Sequence, residues 1–77
     1  MFRVYPNPLT QANLHINGPI HGVQLLRVIS PDGKIVYAQT KLTDHQITLP
    51  QLAPGLYTVS LQTKKGSYHH WKILHVE

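Results

Sequence analysis

The stretch Leu52-Ala53-Pro54-Gly55-Leu56-Tyr57-Thr58-Val59-Ser60-Leu61 constrains this chain most, because it sets a turn directly against a strand with one apolar and one polar face. Pro54 and Gly55 interrupt any regular element, and Tyr57, Val59 and Leu61 then alternate with Thr58, Ser60 and Gln62 at the strand period of two. A half-buried β-strand entered through a corner is predicted. A tyrosine at such a corner in a two-sheet fold sends its ring into the core and ties its hydroxyl to backbone a few residues upstream. Tyr57 is therefore expected to hold one sheet to the other.

Turn signals recur about every ten residues, the spacing of an all-β sandwich or barrel. Residues 2–5 read as an edge strand running into Pro6-Asn7-Pro8, a bend stiffened by two fixed φ angles. Residues 13–17 follow, with Leu14 and Ile16 on one face and His15 on the other. The nearly continuous apolar run 23–30 predicts a central strand covered on much of both faces, interrupted only by Arg27. Pro31-Asp32-Gly33-Lys34 should turn it back into a strand over 35–40. Strands over 46–49, 57–63 and, after Lys64-Lys65-Gly66-Ser67, 68–76 complete seven. In the last of these, Trp71, Ile73 and His75 share one face, with Lys72, Leu74 and Val76 on the other. Gly33 and Gly55 are assigned to backbone conformation. No helix, repeat or linker is predicted, and residues 1–77 read as a single domain.

A chain of 77 residues buries only about 60% of the surface it exposes when unfolded. Little core is left for an active-site cavity, which favours a binding or signal module over an enzyme. No serine motif or cysteine offers a nucleophile, and Asp32 and Asp44 are the only side-chain acids besides Glu77. Without cysteine there is neither a disulfide framework nor a thiolate zinc site. No run approaches the ~20 apolar residues of a membrane-spanning helix. Residues 1–14 also lack the pattern of an export signal, which fits an intracellular protein or a domain of a longer exported one.

The net charge of +4 invites a nucleic-acid reading, but Arg3, Arg27, Lys34, Lys41 and Lys72 are scattered and only Lys64 and Lys65 adjoin. No nucleic-acid partner is predicted. Six histidines raise the question of zinc, which needs three or four converging ligands. His69, His70 and His75 lie on one extended strand, where neighbours face opposite ways and His69 and His75 stand roughly 20 Å apart. Solvated histidines explain the pattern, and no metal or other cofactor is expected. An accessory module binding carbohydrate or protein would instead require an exposed aromatic platform of Trp71 with Tyr68 or Tyr37. A core tryptophan beside an outward Lys72 is the simpler account.

Four landmarks stand in order: Val4-Tyr5-Pro6-Asn7-Pro8, Asp32-Gly33-Lys34-Ile35-Val36, Leu52-Ala53-Pro54-Gly55-Leu56-Tyr57 and Lys72-Ile73-Leu74. Together, across residues 4–76, they resemble the C-terminal sorting domain of the type IX secretion system. The resemblance implies an immunoglobulin-like antiparallel β-sandwich of about seven strands, placed last in a larger exported protein behind an N-terminal cargo domain. It implies a non-catalytic address label, carried through the periplasm to the cell surface. There it would be read by the translocon and removed by a sortase-like cysteine peptidase. Carried over residue by residue, the motif positions are Pro6, Asn7, Pro8, Gly33, Lys34, Gly55, Tyr57, Lys72, Ile73 and Leu74. The recognition surface is expected on Lys72 through Val76 and the neighbouring sheet edge, since a terminal strand offers backbone as well as side chains. The family's last strand closes on basic residues; Lys72 fits that pattern, whereas His75-Val76-Glu77 departs from it.

Overall fold

A computed structural model describes residues 2–5 and 13–76. Among them seven strands form in the expected order: β1 (Arg3–Tyr5), β2 (Asn13–Asn17), β3 (Val23–Ile29), β4 (Ile35–Gln39), β5 (Gln46–Thr48), β6 (Gly55–Thr63) and β7 (Tyr68–His75). They pair antiparallel into a three-stranded sheet ordered β1-β2-β5 and a four-stranded sheet ordered β4-β3-β6-β7. First, second and fifth strands in one layer, with third, sixth and seventh in the other, is the immunoglobulin-type division. β4 extends the larger sheet beyond β3.

Alternation decides which side of each sheet is dry. Val4, Leu14, Ile16 and Ile47 from the smaller sheet meet Leu26, Val28, Val59, Leu61 and Ile73 from the larger in one core, and Leu14, Leu26 and Leu61 are 0% exposed. Among the described residues no buried side-chain polar atom lacks a hydrogen-bond partner, as a dry interior requires. On the β1–β7 side, the ring of Phe2 meets that of His69 at 5.3 Å and helps close the gap between layers.

Both hairpin turns of the larger sheet form as their residues dictate. Gly33 takes φ 87° and donates to Ser30 O at 2.9 Å, while Ser30 N donates to Lys34 O at 2.8 Å. Gly66, at φ 92°, likewise donates to Thr63 O at 3.0 Å. Positive φ costs glycine little and any side chain more.

Three expectations need correction. A short 3₁₀ turn occupies Ile20–Gly22, where no helix was expected; Gly18 at φ 133° redirects the chain into Pro19, and Gly22 N closes the turn on Pro19 O at 3.0 Å. It drives Ile20 into the core, and Leu42, from a polar stretch with no strand period, plugs the same core at 5% exposure. β6 begins at Gly55, two residues before the predicted start, because Gly55 already pairs with His75. β3 is central, but its second face is only half covered at Leu25, Arg27 and Ile29. The bend predicted at Pro6-Asn7-Pro8 lies outside the described residues.

Truncating Leu26 to Ala should cost about 2–5 kcal/mol in urea unfolding, through lost transfer energy and the cavity left behind. Leu56→Ala, on the wet face of β6 at 48% exposure, should cost less than about 1 kcal/mol. Equal losses would contradict the assignment of faces.

Candidate recognition surface

Antiparallel pairing carries the β3–β4 turn, the entry to β6 and the exit of β7 to one end of the larger sheet. The ladder Gly55↔His75, Leu56↔Leu74, Tyr57↔Ile73 and Thr58↔Lys72 sets the corner residues directly against the last strand. The turn joins them through Pro31, whose Cγ would lie 3.0 Å from a Cβ placed on Gly55. Three of the four sequence landmarks thus converge. Gly55 was expected to serve an unusual backbone conformation, as Gly33 does, but its φ is not positive. Its lack of a side chain instead lets the β3–β4 turn lie against β6.

Tyr57 is 6% exposed, and its hydroxyl donates to Ala53 O at 2.6 Å. Ala53 lies in the connection arriving from β5 of the smaller sheet, so the bond fixes the corner where the chain changes layers. The His75 ring stands 6.1 Å from the Tyr57 ring, at 49° to it. At the neighbouring turn the Ser30 hydroxyl donates to Asp32 Oδ1, Lys34 N donates to Ser30 Oγ at 3.1 Å, and Lys34 Nζ lies 3.8 Å from Asp32 Oδ2. The Ser30 hydrogen bond foremost, then Asp32's own backbone and the Lys34 charge, hold the Asp32 carboxyl below the usual carboxylate value.

Within Lys72-Ile73-Leu74 the roles divide by the strand period. Ile73 is 2% exposed in the core, whereas Lys72 and Leu74 face outward. Leu74 meets Leu56 directly across the ladder, both nearly half exposed, forming an apolar pair on the wet face. Leu56 was not singled out from sequence, although alternation from Tyr57 already turns it outward. Lys34 is exposed at the turn.

The family model described as "Secretion system C-terminal sorting domain" matches residues 3–75. The chain belongs to this family, the type IX sorting tails. Its sandwich also resembles the crystal structure of CopC from Methylosinus trichosporium OB3b, with a TM-score of 0.50 and 18% identity, over 97% of this chain and 91% of that chain. That likeness concerns the fold alone. No curated protein matches the chain.

The sorting domain does not assemble the aromatic platform that carbohydrate binding would require. Register places Tyr37, Val28, Val59 and Trp71 in one row on the inner face, so Tyr37 and Trp71 are three strand spacings, ~14 Å, apart. Both are partly buried against the core, and Tyr68 projects from the opposite face. Trp71 stacks instead on His69, with ring centroids 6.0 Å apart. Among the described residues no group of three or more His, Cys, Asp or Glu is placed to hold a metal ion, and no helix is long and apolar enough to cross a membrane.

Tyr57→Phe should cost about 1 kcal/mol by removing the corner hydrogen bond, and lower the thermal midpoint by about 4–8 °C. Because the folded-state value of Asp32 is depressed, its stabilising contribution is present above the ordinary carboxylate value and lost as pH falls through the folded-state one. A carboxyl-carbon NMR titration should find Asp32 below the usual value in the wild type and closer to it in Ser30→Ala.

Proposed function

We propose that residues 1–77 act as the C-terminal sorting signal of a larger exported protein, directing an attached N-terminal cargo across the outer membrane to the cell surface by the type IX route. The convergence of three landmarks at one end of the larger sheet carries this reading. There Leu56 and Leu74 make an apolar centre, Lys72 stands two residues from Leu74 on the same face, and Lys34 is exposed at the β3–β4 turn. A desolvating apolar centre with a polar rim is how protein surfaces are recognised. The translocon reads this end as a folded shape, with β7 as its spine. Tyr57 and Ile73 act from beneath by fixing the two strands, and Gly33 and Gly55 allow the turn to close on them. Pro6, Asn7 and Pro8 belong to the same signal by motif.

The domain does no chemistry in this role. Removal of the label at the surface is the work of the sortase-like cysteine peptidase, whose nucleophile belongs to that partner. A chain with three acidic and no cysteine residues supplies little that could take part.

The test is a fusion of residues 1–77 behind a periplasmic reporter in a bacterium that has the system. The wild-type tag should bring the reporter to the surface. The double variant Leu56→Ser with Leu74→Ser should keep its circular dichroism spectrum and reduce surface arrival at least tenfold. A folded wild-type fusion held in the periplasm would defeat the reading.

A further inference from the structure

At the other end of the sandwich, three connections meet: residues 18–22 between β2 and β3, residues 40–45 between β4 and β5, and the turn 64–67 between β6 and β7. Loops gathered at one end of a rigid sandwich are where such folds bind ligands. Lysines distant in sequence come together here. Lys41 and Lys64 line one open groove of about 570 Å³ with His21, Thr40 and Thr43, over a floor formed by Ile20 and Leu42. Lys65 stands on the adjoining groove of about 450 Å³, which shares Lys64.

The charge of this end is strongly one-sided. Lys41, Lys64 and Lys65 are three of the chain's seven lysines and arginines, and Asp44 is the only acid in the three connections. Among the described residues none of these three lysines pairs with a carboxylate. The loops that carry them are braced. Lys64 N donates to Gly22 O at 2.9 Å, tying the β6–β7 turn to the β2–β3 connection. Tyr37 Oη donates to Gln39 Oε1 at 2.6 Å, and Gln39 Nε2 donates to Lys41 O at 2.6 Å, which anchors the start of the third loop. Ser67 N donates to Thr63 Oγ1 at 3.0 Å across the turn. Backbone already held in place need not be ordered on binding.

We infer that this end binds an acidic peptide segment of a partner protein, independently of the export role. Lysines act as separate point charges that can each meet one of a series of spaced carboxylates without the planar geometry an arginine fork demands. Threonine hydroxyls and an aliphatic floor suit a peptide's backbone and side chains. The first groove has His21 but no phenyl, phenol or indole ring, and in the adjoining groove the Phe2 and His69 rings already meet each other at 5.3 Å, so no row of free rings is offered to successive nucleic-acid bases.

The probe is a fluorescein-labelled octapeptide alternating glutamate and valine, titrated into the 77-residue chain at low ionic strength. Saturable binding is expected, with amide shift changes confined to residues 20–24, 40–43 and 63–67. The pair Lys41→Gln with Lys64→Gln should weaken it at least tenfold. Arg27→Gln with Lys34→Gln, an equal loss of charge elsewhere, should weaken it less than threefold. Equal losses from both pairs would reduce the effect to net charge and overturn the inference. So would absence of saturable binding, or tighter binding of a single-stranded oligonucleotide or of inorganic phosphate at the same groove. Unchanged thermal midpoints in both variants keep a loss of folding from imitating a loss of binding.

Discussion

The hydroxyl of Tyr57 reaches back 2.6 Å to the carbonyl of Ala53, at the point where the chain leaves the smaller sheet and enters β6. Everything on the larger sheet is indexed from that corner. β6 pairs with β3 on one side and β7 on the other, so fixing its entry fixes the register of the three strands that make up most of the larger layer. A small domain has few other means of doing this. With a modest core and no cross-link, one well-placed hydrogen bond and a buried ring are a sizeable part of a total stability of about 5–15 kcal/mol.

That single register gives the molecule two unlike ends. At one, a tight turn, a glycine clearance and the end of the last strand bring the Leu56–Leu74 pair to the outer face. At the other, three loops bring lysines together around open grooves. The strands between them are committed to the core on one face, which leaves the ends and the outer face near them exposed. A sorting tail needs only a stable shape that another protein can read. The fold provides this through two sheets packed on one dry core.

Much of the fold was legible along the chain. Alternation in residues 13–17 and 57–63, the glycine turns at Gly33 and Gly66, and the proline-glycine corner are local signals. The backbone obeys them because they act through steric limits on φ and the two-residue strand period. The inward role of Ile73 and the outward roles of Lys72 and Leu74 followed from the same period. Ile20 and Leu42 escaped notice because they lie in connections, where no periodicity marks a buried residue and only the gap they fill explains them. Gly55 was misread for a related reason. Sequence shows that a glycine is present, while the neighbour that requires it, Pro31, lies 24 positions away in the chain.

The amino-acid order by itself determined an all-β chain of seven strands, the turns that separate them, the buried face of the strands that alternate clearly and the family to which its landmarks point. These are properties of local stereochemistry and hydrophobic periodicity. Tertiary structure decided which landmarks meet. It set Leu56 against Leu74, laid Pro31 on Gly55, held Trp71 and Tyr37 apart and brought Lys41 and Lys64 to one groove. Such proximities arise from strand register and layer packing, which depend on the whole chain folding at once.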